Sequence, residues 1–114
     1  MTIQSFEEMK VWQKAKELCL ITYKIFSRSK DYGFRDQIQR ASVSIMNNIA
    51  EGFERKGNKE LARFLYISKG SCGEVRSMLQ LGFDLGYIDK EDFDCMYSLS
   101  IEISKMLAGF IRTL

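Results

Sequence analysis

A run of cations, Arg40, Arg55, Lys56, Lys59 and Arg63, with Lys69 and Arg76 beyond them, is where this sequence could do chemistry. On an exposed helical ridge each of these side chains can neutralise one phosphate of a nucleic acid, and Tyr66 offers a ring on which an unpaired base can stack. Glu51, Glu54 and Glu60 are interleaved with the cations, and at helical spacing they form ordinary ion pairs, Glu51 with Arg55 for one. Two readings stand side by side: a phosphate-binding ridge, and a solvated helix face whose charges cancel.

Catalysis is the other chemistry to weigh. Glu51 with Glu54, or Glu51 with Glu74, would be the paired carboxylates for acid–base work. Carboxylates three residues apart on a polar helix face are far more often solvent-facing, and no nucleophile stands with a base. The chain has no histidine, which excludes His-based triads, His-containing metal sites and the Glu-x-x-His di-iron sites of helical bundles. Neither cysteines nor carboxylates cluster as a metal would require. The expectation is a protein that is not an enzyme, with no catalytic residues, no metal and no cofactor.

These side chains must be carried by something, and length and composition bound it. At 114 residues the chain fits one domain, 1–114, large enough for a real core. Its net charge is only +2, so it is no generic polycation and any affinity for nucleic acid must be local. Residues 1–88 carry 14 Lys/Arg against 10 Asp/Glu and the remainder 3 against 5, a mildly basic body with a mildly acidic tail. The absence of proline removes the main helix breaker. Cys19, Cys72 and Cys95 are odd in number and each sits in a helical pattern, which reads as reduced, packed thiols. Glu7, Glu8 and Lys10 occupy the place of a signal-peptide apolar run, and no 18 apolar residues follow one another; a cytoplasmic protein without a membrane span is expected.

Periodicity predicts an all-α chain of four helices, over about residues 5–28, 34–54, 58–85 and 89–113. Ser5-Phe-Glu-Glu8 has the form of a capping box and should open the first helix, whose inner stripe is Trp12, Ala15, Leu18, Cys19, Thr22, Ile25 and Phe26. Asp31-Tyr-Gly33 makes the turn into the second helix. Ile38, Ala41/Ser42, Ile45, Ile49 and Gly52/Phe53 form the second stripe, and Leu61, Leu65, Ser68, Cys72, Val75 and Leu79 the third. Between them Gly57 can take a positive φ and Asn58 can cap the third helix. Gly86-Tyr-Ile88 precedes the fourth helix, which starts at the acidic Asp89-Lys-Glu-Asp92 and buries Phe93, Met96, Tyr97, Ser100, Ile103, Leu107, Phe110 and Ile111. Short turns between rods of about 30–40 Å make an antiparallel up-down-up-down four-helix bundle.

Two features exceed what such a bundle requires. On the third helix Lys59, Arg63, Tyr66, Gly70, Gly73 and Ser77 fall together, opposite the core stripe. Each interior glycine costs about 1 kcal/mol relative to alanine. They are either tolerated surface glycines or a face kept flat for another backbone. Leu20, Ile21, Val43, Met46, Ile67, Met78, Leu81 and Ile101 lie off the stripes on all four helices, and together favour self-association. Leu20, Ile21, Met46, Ile67, Gly70 and Gly73 are the candidate interface residues.

Longer fragments carry a resemblance. Phe6-Glu-Glu-Met-Lys-Val-Trp12-Gln-Lys-Ala15, Tyr32-Gly-Phe-Arg-Asp-Gln-Ile38-Gln-Arg40-Ala-Ser-Val-Ser-Ile45, Asn48-Ile-Ala-Glu-Gly-Phe53, Lys59-Glu-Leu-Ala-Arg-Phe64-Leu-Tyr, Gly70-Ser and Leu85-Gly-Tyr87 occur in order. In this order and spacing the chain resembles the four-helix-bundle family of 23S ribosomal RNA intervening-sequence proteins, most clearly over residues 5–90. The resemblance implies a bacterial antiparallel bundle assembling as a homopentamer, with no established enzymatic activity. It also implies distant relatives that serve as accessory nucleic-acid-binding proteins of reverse-transcriptase retroelements. Two departures stand out: Met46 where the family commonly has proline, which should straighten the second helix, and a shorter turn after Phe26 lacking the usual Phe-Pro. A ring of five would repeat a weak basic patch five times. The expected partners are thus the chain itself and RNA or DNA, bound through Arg40, Arg55, Lys56, Lys59, Arg63 and Tyr66. The alternative is an adaptor that recruits another protein, such as a retroelement polymerase, with little nucleic-acid affinity of its own.

Overall fold

The computed structural model describes residues 3–114. Four helices, α1 (Lys10–Phe26), α2 (Tyr32–Glu54), α3 (Asn58–Asp84) and α4 (Lys90–Arg112), come after a short 3₁₀ turn at Phe6–Glu8. Each helix packs on its sequence neighbours, and α1 packs on α4; the diagonal pairs α1/α3 and α2/α4 do not meet. That is the antiparallel up-down-up-down bundle, a rod 43 × 22 × 19 Å across its principal axes.

Small side chains decide how closely α2 and α3 approach. A Cβ on Gly52 would lie 2.8 Å from Cβ of Phe64, so the Phe64 ring packs directly on the α2 backbone. Farther along, the buried Ser68 hydroxyl donates to the Ile45 carbonyl at 2.7 Å, and the Ser44 and Ser71 hydroxyls meet at 2.8 Å. Gly82 plays the same part at the opposite end, where an added Cβ would sit 2.8 Å from the Phe34 ring. Phe34 in turn stacks edge-on against Phe26 and Tyr87, at 5.5 and 5.2 Å, which locks the α1–α2 and α3–α4 turns together.

The core is apolar and its four buried hydroxyls are satisfied, as burial demands. Thr22 donates to the Leu18 carbonyl at 2.7 Å, Ser42 to Gln39 and Ser100 to Tyr97, each at 2.8 Å, and the Cys72 thiol donates to the Ser100 carbonyl at 3.0 Å. The expected stripes are buried with local shifts. Val11, Phe64, Met78 and Leu99 join the core, whereas Trp12, Ile25, Phe53, Leu61, Phe93, Tyr97, Phe110 and Ile111 are half-buried at its edges. Met78, placed off the stripe by periodicity, is only 8% exposed because α3 packs against two helices and its apolar stripe is correspondingly wide.

The helix ends differ from expectation in definite ways. Glu8 does accept from the Ser5 backbone N–H at 3.1 Å, but this box closes the 3₁₀ turn, not α1. Met9 is extended (φ −77°, ψ 124°) and buried, and α1 begins after it at Lys10. The edge contact of Phe6 with Trp12 at 5.1 Å and a bond from the Gln13 amide to the Glu7 carbonyl at 2.8 Å hold the lead-in to the helix. Asp31 is the N-cap of α2, accepting from Phe34 N–H at 3.1 Å, so Tyr32 and Gly33 belong to the helix, not the turn. Gly57, not Asn58, holds the N-cap position of α3, with φ +87°. Asp89 caps α4 through Asp92 N–H at 2.8 Å, and α2 runs unbroken across Met46. Cys19 and Cys72 are buried free thiols, but Cys95 is exposed, which corrects the expectation of three packed cysteines.

Candidate nucleic-acid interface

The basic turn is built on the close contact between Gly52 and Phe64. α2 ends at Glu54, Arg55 leaves in an extended conformation (φ −81°, ψ 160°), and the positive φ of Gly57 turns the chain into α3. With Phe64 anchored against Gly52, the Arg55 and Arg63 guanidinium groups stack on its ring, 5.0 and 5.2 Å from the centroid. Both also face acids. Arg55 donates to Glu51 at 2.8 Å and lies 3.9 Å from Glu60, and Arg63 lies 3.6 Å from Glu60. The Glu51 hydrogen bond raises the Arg55 pKa further above its already high value. These two arginines are fixed, half-neutralised cations.

Lys56 and Lys59 are different. Both are exposed, and among the described residues neither has a carboxylate within ion-pair distance. Tyr66, 62% exposed, sits on the outward face of α3 one turn beyond. The structure therefore brings together Arg55, Lys56, Lys59, Arg63 and Tyr66 at one end of the rod, with Phe64 as the platform beneath the arginines. Nothing local in the sequence marks Phe64 as a site residue; its place between two arginines exists only in space, because Arg55 comes from the other helix.

Arg40 does not belong to this cluster. Fifteen residues separate it from Arg55 on one continuous helix, or about 22 Å along the axis. It lines a groove of about 520 Å³ between α2 and α3 with Gly33, Asp36, Gln37, Ala41, Ser44 and Glu74. Glu74 lies with Arg40 and Ser44, about 10 Å along the bundle from Glu51. Glu51 itself is bound to Arg55. Farther along α3, Arg76 has a buried Nη1 without a partner beside Cys72, whose thiol pKa is raised by burial.

The candidate interface residues divide between two sides of the rod. Leu20 (63% exposed) projects from the outer face of α1, and Ile67 (42% exposed) with Gly70 from the outer face of α3, the helix diagonally opposite. A Cβ on Gly70 would meet nothing within 4 Å, whereas one on Gly73 would touch the Arg76 side chain at 3.6 Å. Ile21 and Met46 are half-buried against the chain's own core, which leaves them less to offer a partner.

A family model described as 23S rRNA-intervening sequence protein matches residues 7–109. The chain belongs to that family. A crystal structure from Bacteroides thetaiotaomicron, of a protein with unknown function from the S23 ribosomal protein family, superimposes with a TM-score of 0.83. It shares 27% sequence identity, and the match covers 89% of this chain and 97% of that one. No curated protein matches the chain. The match runs from the 3₁₀ turn to the last turns of α4 and so spans all four helices and the three connections between them.

Proposed function

We propose that this protein is a non-enzymatic, cytoplasmic, self-assembling bundle that binds RNA or DNA through the turn joining α2 and α3. The observation that carries this reading is the pair Lys56 and Lys59, exposed and, among the described residues, without an acidic partner at the rod's end, beside the outward ring of Tyr66. Two unpaired lysines make a weak site, and repetition in a homo-oligomer multiplies it. The division of exposed apolar residues between α1 and α3 supports assembly into a ring. A cyclic oligomer larger than a dimer is closed by two different patches on each subunit, and a pentamer is what the family resemblance implies.

A second reading, an adaptor or accessory subunit that contacts another protein, is favoured by the acids around the same turn. Glu51 and Glu60 hold Arg55 and Arg63, and Leu20, Ile67 and Leu81 remain exposed. Titration of labelled single-stranded and structured RNA separates the two. A phosphate-driven site weakens with salt by about 0.7–0.9 log units per log of salt for each phosphate neutralised. Lys56→Gln with Lys59→Gln should lower both affinity and that slope. Absence of binding at low salt contradicts the nucleic-acid reading and leaves the adaptor, and binding indifferent to the double substitution removes the α2–α3 turn as the site.

A further inference from the structure

The end of the rod away from the α2–α3 turn carries a second cationic cluster. Lys24 and Arg28, one turn apart at the end of α1, and Lys30 in the connection to α2 have no carboxylate within ion-pair distance among the described residues. That is more unpaired charge than Lys56 and Lys59 supply. Arg28 and Lys30 flank a recess of about 470 Å³ whose other walls are Ile25, Phe26, Ser29, Asp31 and Tyr87. A recess of that size is within the range that holds small ligands.

Asp31, the acid in that wall, is a carboxylate that its hydrogen bonds keep ionised, and it offsets one of the three cations. One oxygen accepts from Phe34 N–H at 3.1 Å and the other from the Tyr87 hydroxyl at 2.7 Å. Asp36 is occupied by Arg35 at 2.9 Å, and Asp89 by its cap on α4; Asp84, on the neighbouring turn, lies outside the recess. Beside the cations stands Tyr32, 62% exposed. The Arg35 guanidinium lies over its ring at 4.9 Å, which holds the ring in place and leaves much of it open to solvent. Cations that can neutralise phosphates beside an oriented, open aromatic ring are the two elements of single-strand recognition.

We infer that the α1–α2 turn is a binding site for single-stranded nucleic acid, with phosphates on Arg28 and Lys30 and a base stacked on Tyr32. The site is independent of the α2–α3 turn, at the other end of the rod. A strand bound here is held by charge and stacking, so it is read with little regard to sequence.

The test is fluorescence anisotropy of the full chain with a labelled oligouridylate of about ten nucleotides, a length within the usual single-strand site sizes. Titrations at about 50 and about 200 mM salt give the salt slope. Arg28→Gln with Lys30→Gln should flatten that slope by about 1.4, two phosphates at about 0.7 each. Tyr32→Ala should weaken oligouridylate binding about five-fold or more, Tyr32→Phe should retain it, and neither should alter binding of inorganic polyphosphate, which has no base to stack. Circular dichroism shows whether each variant keeps its helices, and Tyr32→Leu, apolar but with no ring to stack, keeps the stacking claim testable if Tyr32→Ala does not: it should weaken oligouridylate binding as Tyr32→Ala would, and full binding by it overturns the stacking claim. Binding that survives Arg28→Gln/Lys30→Gln with slope unchanged, but is lost in Lys56→Gln/Lys59→Gln, overturns this site and leaves the α2–α3 turn. The opposite pattern supports this site alone. No binding of oligouridylate by the unmodified chain at low salt overturns it, as does equal binding by Tyr32→Ala and the unmodified chain.

Discussion

Replacing Gly52 by alanine should destabilise the bundle, although in an open helix the same change is stabilising. The added Cβ would lie 2.8 Å from Cβ of Phe64, 3.2 Å from a Leu61 methyl and 3.4 Å from the Leu61 carbonyl. The closest of these atoms is attached directly to the α3 backbone, so a rotamer change cannot move it and the two helices must part. Parting strains the Ser68–Ile45 and Ser44–Ser71 hydrogen bonds, at 2.7 and 2.8 Å, that span the same interface. Overpacking of this kind costs about 1–3 kcal/mol, and a contact this rigid belongs near the upper end. The helix-propensity gain from glycine to alanine returns about 1 kcal/mol. The net loss is about 1–2 kcal/mol, which lowers the melting midpoint of a domain this size by about 4–8 °C. Thermal melting followed by circular dichroism at fixed protein concentration measures it. A midpoint equal to or above that of the unmodified chain would show that α2 and α3 do not meet as closely as described, and would remove the platform that orients Arg55 and Arg63.

Gly70→Ala is the counterpart: with nothing within 4 Å of the new Cβ, it should raise stability by about 0.5–1 kcal/mol, and a loss on melting would show that this face is covered in the assembled protein. The Asp31–Tyr87 bond should give stability a pH window. The Tyr87 hydrogen bond, with that of the Phe34 N–H, lowers the Asp31 pKa, so this contribution is present above the ordinary value of 3.8 and is lost as pH falls through the lower folded value. Tyr87 shifts the other way, raised chiefly by Asp31, so its contribution is complete below its ordinary 10.0 and is lost as pH rises through the folded value. In urea titrations Tyr87→Phe should therefore differ from the unmodified chain by a constant amount across the middle of the pH range, the gap closing at both extremes; a gap that does not vary with pH refutes it. A thiol reagent should modify Cys95 rapidly and Cys19 and Cys72 only on unfolding, and prompt modification of all three in the folded protein would contradict their burial.

Much of this fold is legible in the sequence because helical periodicity is a strong local signal. The α3 and α4 boundaries lie within one residue of those periodicity predicts, and the stripe from Ile38 to Gly52 is buried as expected. The features that periodicity does not reveal depend on the other helix. Gly82 reads as an ordinary helical glycine until Phe34 is seen against it, and Phe64 reads as one more aromatic until Gly52 and Arg55 arrive from α2. Ser5 does belong to a capping box, but a box does not tell how long its helix will run, and burial of Met9 ends this one after one turn. Charge alone groups Arg40 with Arg55, although the helix between them spaces them far apart. Arg28, Lys30 and Tyr32 carry no signal as site residues because they straddle a turn, where no periodicity aligns them.

Assembly is the condition on which the proposed activity rests, because single copies offer only a few unpaired cations at each end. Light scattering on the full chain eluting from a sizing column, at the concentrations used for binding, measures it directly. The expected mass is five times the 13.3 kDa of one chain. A single species of 13.3 kDa would contradict it and remove the repetition that makes two exposed lysines a useful site.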